Sequence, residues 1–280
     1  MPETLLTIGK LALAGYLTVI ALTWLMQDNL IFLPQPLEGD ALRAIAARHP
    51  RAEEVRLAAD GDVSLHGWLL KGDVHAPLLI YFGGNAEEVS WLLGEARHFA
   101  GHALLLMNYR GYGGSSGKPG ANALLADALR VYDFGAGRPD VDPAHIVVMG
   151  RSLGSAMAAH VAARRRVAAV VLVSPLDSAA ELGRHHYPYL PVSWLLHQRF
   201  DPLADAPHVD APLLTIVAER DSVIPVGHSR RLFDAWHGPK SWHEVAGANH
   251  NDLSDRPIYW QAIGEFIASV ASRSASAPTK

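Results

Sequence analysis

Gly150-Arg151-Ser152-Leu153-Gly154 follows the apolar run His145-Ile146-Val147-Val148-Met149 and leads into Ser155-Ala156-Met157-Ala158-Ala159. A strand, a glycine-flanked turn and a helix of small residues stand in direct succession. The five-letter pattern alone is common, and its place between strand and helix carries the reading. So sharp a turn forces Ser152 into a strained backbone conformation. The two glycines remove side chains that would strike the neighbouring strand and helix. Ser152 Oγ is expected above the sheet, where the N-terminus of helix Leu153–Arg164 favours developing negative charge.

Outward from this turn, apolar runs alternate with helical patterns. Strands are expected at Val63–Leu70, Pro77–Phe82, Ala103–Asn108, His145–Met149, Ala169–Val173, Leu213–Ala218 and Ser241–Val245. Helices are expected at Asp40–Arg48, Glu87–Ala100, Asn122–Phe134, His228–Trp236 and Pro257–Ala271. Continuously apolar strands between helices predict an α/β fold whose mostly parallel sheet is covered on both faces. Residues 174–210 break the alternation. Their aromatic and histidine content (His185, His186, Tyr187, Tyr189, Trp194, His197) predicts a lid over the site.

A serine hydroxyl needs a base, and the base needs an orienting acid. Asp221 lies in the loop after strand Leu213–Ala218; Glu219, nearer the strand, is the second choice. His250 follows the last strand in Ala246-Gly247-Ala248-Asn249-His250-Asn251-Asp252. Of the 15 histidines, it alone occupies a strand-exit loop beyond the acid. The order Ser, Asp, His is that of the α/β-hydrolases. The oxyanion hole needs two N–H groups: one from Leu153, the other from Gly83-Gly84-Asn85, with Asn85 as donor.

These segments resemble the Bem46-like group of α/β-hydrolases, which includes membrane-associated serine hydrolases akin to α/β-hydrolase domain-containing proteins 13 and 17. The matching motifs are Tyr81–Ala86 (YFGGNA), Asn108–Gly117 (NYRGYGGSSG), Gly150–Gly154, Arg220–Pro225 (RDSVIP) and Gly247–Leu253 (GANHNDL), besides the apolar N-terminus. The resemblance implies Ser152 as nucleophile, Asp221 as acid and His250 as base. Two positions depart from the family. Gly83 stands where a bracing His is usual, which predicts a looser oxyanion loop, and Asn108 stands where Asp is usual.

A mean hydropathy of +0.09 is high for a soluble enzyme, and much of it sits in Leu5–Met26, where Lys10 is the only charge. These residues make a helix of roughly 33 Å, close to the hydrocarbon thickness. No small-residue cleavage pattern follows, and no polar stripe marks a buried helix. A single-pass anchor therefore fits better than a signal peptide or a core helix. Lys10 and the amino terminus on one side and Asp28, Glu38 and Asp40 on the other favour the amino terminus inside and the hydrolase outside the cytoplasm. The expected organisation is an anchor over 1–30, a hydrolase domain over 31–272 and a flexible tail over 273–280.

A net charge of −4 excludes nucleic acid as the principal partner, and the lack of cysteine excludes a thiol nucleophile. No metal-ligand spacing occurs, and Gly111–Gly120 lacks the P-loop pattern, so neither metal nor cofactor is expected. Arg164-Arg165-Arg166 reads as a solvated helix terminus. The expected activity is hydrolysis of carboxylic esters or thioesters with apolar acyl groups, the partners being the acyl substrate and membrane lipid. A peptidase or amidase using the same three residues and a non-catalytic membrane scaffold are the alternatives.

Overall fold

The computed structural model describes residues 2–99 and 101–276. The chain begins with helices α1 (Pro2–Ile31) and α2 (Gly39–Arg48), then strands β1 (Ala52–Ala59), β2 (Val63–Leu70), β3 (Ala76–Phe82) and β4 (Ala103–Met107). Next come α3 (Ala121–Ala136), β5 (Val141–Arg151), α4 (Gly154–Ala162) and β6 (Ala169–Val173). The intervening segment forms α5 (Ala179–His186), α6 (Val192–Leu195) and α7 (Pro202–Asp205). The chain then adds β7 (Leu213–Ala218), α8 (Val226–Ala235), β8 (Lys240–Val245) and α9 (Pro257–Ser276).

The eight strands form one sheet in the order β1-β2-β4-β3-β5-β6-β7-β8. Strands β3 to β8 are parallel, while β2 runs antiparallel to both β1 and β4. β4, β6 and β7 are buried along their whole length, as runs covered on both faces must be. Alternate residues feed two cores. Leu78, Ile80 and Phe82 pack with α3 and α4, whereas Leu79 and Tyr81 pack with the segment Val89–Phe99 and α9.

Four expectations need correction. β1 was not foreseen: its apolar Val55 and Leu57 alternate with Glu54 and Arg56, the pattern of an exposed edge strand that charge guards against mispairing. The expected helix Glu87–Ala100 is a run of 3₁₀ turns over Val89–Phe99, while Ala100 lies outside the described residues. Its first N–H groups are drawn to side chains, Val89 to Asn108 Oδ1 and Ser90 to Glu88. The 174–210 excursion divides: α5 and α6 overhang the sheet, but Phe200, Ala206 and Val209 enter the core. Finally, α9 continues to Ser276 through the start of the expected tail; residues 277–280 lie outside the described ones.

α1 is continuous for 30 residues and long and apolar enough to cross a membrane. Its most apolar window is unburied. Its C-terminal half lies against the body of the protein, from Tyr16, which bonds to the Tyr189 carbonyl, to buried Gln27.

Candidate active site

Ser152 follows β5 and precedes α4 with φ of 52°, the strained turn expected of it. The two glycines have steric reasons. A Cβ on Gly150 would lie 2.3 Å from the Gly154 carbonyl oxygen, and one on Gly154 would lie 2.0 Å from that of Phe82. The Ser155 N–H and hydroxyl both donate to the Ser152 carbonyl and hold the turn.

Three sheet-edge loops converge on the serine. His250 Nε2 is 3.1 Å from Ser152 Oγ, and His250 Nδ1 is 2.8 Å from Asp221 Oδ2. All three residues are buried. A carboxylate at Nδ1 places the ring proton there and leaves Nε2 free to accept from the serine hydroxyl. Burial alone would push the Asp221 carboxyl up. The hydrogen bond and charge of His250, with the Ile224 N–H, hold it below the ordinary aspartate value. It is therefore charged at neutral pH. Glu219 points elsewhere and accepts from the Gly247 N–H in the histidine loop.

Among the described residues no group accepts from the Leu153 or Asn85 N–H, so both are available to an oxyanion. The Asn85 side chain has a further task that its sequence did not disclose. It donates to the Ile31 carbonyl and accepts from the Leu33 N–H and the Tyr112 hydroxyl, tying the end of α1 to the oxyanion loop.

Gly83 is closely packed. A Cβ there would already approach Val89 and Glu87 to 3.0 and 3.3 Å, so other groups fill the space of the missing histidine. The Tyr109 hydroxyl grips the Gly83 carbonyl at 2.7 Å. Asn108 accepts from the Val89 N–H, and its amide occupies the room a Cβ on Gly113 would need.

Glu87 and Arg151 were not singled out in the sequence. Glu87 accepts from the Tyr81 hydroxyl, the Gly84 N–H, the Trp91 indole and Arg151. Arg151 also donates to the His250 carbonyl and Asn251. One half-buried ion pair thus joins the Gly84, Ser152 and His250 loops. Burial disfavours the Arg151 charge, but the Glu87 carboxylate outweighs it and holds the guanidinium above its ordinary value. The available signal was a charge at both Glu87 and Arg151, positions that must be buried and therefore need each other.

A cavity of about 460 Å³ opens at Ser152 and Leu153, lined mainly by apolar side chains from α1, α5, α6 and Ile224. His186 lines it and lies 2.9 Å from the Val223 carbonyl through Nε2; His185 is not in its wall. Arg164 and Arg165 pair with Asp205 and Asp133 at the helix end. Among the described residues no group of three or more His, Asp or Glu is arranged to hold a metal.

The family pattern of the α/β-hydrolase fold matches residues 76–205. An uncharacterized protein of Mycobacterium tuberculosis is 35% identical over 259 residues, covering 90% of this chain and 91% of that one. The chain belongs to the α/β-hydrolase family. The α/β-hydrolase domain-containing protein 17B of Xenopus laevis is 31% identical over 161 residues, 58% of this chain and 54% of its own. Among solved structures, a membrane phospholipase A matches with a TM-score of 0.64 at 18% identity, over 97% of this hydrolase and 99% of that chain. At that identity the likeness is one of fold.

Proposed function

We propose that this hydrolase is a membrane-anchored serine esterase or thioesterase acting on apolar acyl groups. The observation that carries the proposal is the relay from Ser152 Oγ through His250 to Asp221, at 3.1 and 2.8 Å, opening on an apolar cavity. Ser152 attacks the acyl carbon while His250 takes its proton. His250 then protonates the leaving alcohol or thiol, and an acyl-enzyme remains. Water, deprotonated by His250, attacks that acyl group and releases the carboxylic acid. Asp221 keeps the His250 tautomer and stabilises the imidazolium. The Leu153 and Asn85 N–H groups receive the oxyanion, each worth roughly 3–4 kcal/mol.

The exposed apolar α1 supports an anchor over 1–30, and the charges around it support a hydrolase domain on the non-cytoplasmic side. The test is a fluorophosphonate probe on the full-length protein together with p-nitrophenyl esters of rising chain length. Wild type is expected to be labelled and to hydrolyse them, and Ser152→Ala to do neither while remaining folded. Unlabelled wild type would return the chain to the scaffold reading. Cleavage of aminoacyl-naphthylamides without esters would make it an amidase.

A further inference from the structure

We infer that the membrane helix is itself one wall of the acyl-binding site, so that a long-chain ester resident in the bilayer enters sideways along α1. The inference rests on the reading of Ser152 as an acyl-transfer nucleophile and adds where the acyl chain lies. Val19, Thr23, Gln27, Leu30 and Ile31 face the cavity. Their spacing places them on one stripe of the helix, and from Val19 to Ile31 the stripe runs about 18 Å. Across the cavity stand Leu182, Tyr187, Leu190 and Leu195 of the α5–α6 segment.

The two walls are fastened at their ends. At one end the Tyr16 hydroxyl donates to the Tyr189 carbonyl. At the other, buried Gln27 donates to the Leu195 carbonyl and accepts from the His197 N–H, and Asp28 meets His197 and Gln198. Between these ties no hydrogen bond joins α1 to the overhanging segment among the described residues. The gap is about 16 Å long by helical rise, and it lies within the apolar span. The outer face of the same helix exposes Leu17, Leu22 and Leu25 to the surroundings that lipid tails would fill.

The polarity of the slot runs the right way for a lipid. Its polar end lies where Asn85 grips Ile31 and Leu33, beside the free N–H groups and Ser152. Its apolar end at Val19 lies about 10 Å inside the apolar segment, counted back from Met26. An acyl chain along this stripe keeps its carbonyl at the membrane surface and its tail at hydrocarbon depth. It reaches the serine without passing through water, where each exposed methylene would oppose transfer. A short water-soluble ester needs none of this wall.

The experiment uses the full-length protein in lipid nanodiscs, with p-nitrophenyl palmitate and p-nitrophenyl butyrate as probes. Thr23→Trp and Val19→Trp fill the slot from α1, and Leu25→Trp adds the same bulk to its outer face. The ratio of kcat/KM for palmitate over butyrate is expected to fall about tenfold or more in both inward variants. It should stay at the wild-type value in Leu25→Trp. An unchanged ratio in the inward variants, or an equal fall in Leu25→Trp, overturns the inference. Fluorophosphonate labelling reports the fold of each variant, and Val19→Trp, on a half-exposed residue, carries the test if Thr23→Trp is not labelled. Wild type that neither labels nor cleaves either ester instead refutes the nucleophile reading on which the slot depends.

Discussion

Among the described residues two buried aspartate–histidine pairs lie within this fold, and only one is part of the candidate active site. In both, a histidine Nδ1 stands 2.8 Å from a buried carboxylate: His250 with Asp221 and His228 with Asp177. The other surroundings differ. His250 turns Nε2 toward Ser152, whereas Asp177 gives its second oxygen to Arg231 and its first also to the Ser178 N–H. The ring of His228 lies edge-on to His185, 5.5 Å away, and its Nδ1 is also 2.8 Å from Arg231 Nη2. Asp177 sits at the root of α5 and His228 on α8, so this second pair fastens the overhanging segment to the body. A buried Asp–His contact is thus a structural device by default. It becomes a proton relay only where a nucleophile and free N–H donors meet the far nitrogen.

Removing the imidazole from each pair tests this division most severely. His250→Ala is expected to lower kcat by a factor on the order of 10⁶, the scale at which nucleophile and base act as a unit. His228→Ala should leave ester hydrolysis near wild type and instead lower stability by about 1–3 kcal/mol, because Asp177 loses a buried hydrogen bond. Steady-state hydrolysis and urea unfolding measured on the same two variants separate the outcomes. Equal losses of activity would erase the distinction.

The distinction was half legible in the sequence. Ser152, Asp221 and His250 each leave a strand within a few residues, so local pattern alone finds them. The second pair was missed because its partners are 51 positions apart and Asp177 lies in the segment where strand and helix alternation fails. Distance in sequence also hid the Glu87–Arg151 contact, across 64 positions, and the grip of Asn85 on α1. The antiparallel edge escaped for another reason: β1 carries Glu53, Glu54 and Arg56 and lacks the apolar continuity that marked the parallel strands.

Glu87 offers a milder break. It holds the Gly84 N–H at 2.7 Å and, through Arg151, the backbone of His250, so it braces the His250–Asp221 pair from the neighbouring loops. Glu87→Gln keeps the shape but gives up the charge that secures Arg151. A loosened oxyanion loop displaces donors that act chiefly in the transition state. The expected result is a kcat lower by about ten- to a hundredfold with KM little changed. A purely structural role would lower stability and leave kcat per labelled serine unaltered.

Acid supplies the gentlest contrast. The Asp221 carboxyl is held below its ordinary value in the folded protein, so its ionised form adds stability that Asp221→Asn lacks. The sign follows from proton linkage: the folded state binds fewer protons at this site than the unfolded chain. The stability gap between wild type and Asp221→Asn should therefore hold steady from neutral pH down toward about 4, the unfolded aspartate value. Below that it should narrow, vanishing as pH passes beneath the folded value. Urea midpoints followed by tryptophan fluorescence across this range would trace the curve. A gap that widens with acid would mean that burial, rather than His250, governs the Asp221 carboxyl, and the contact that now orients the base would have to be read as a packing contact like that of His228.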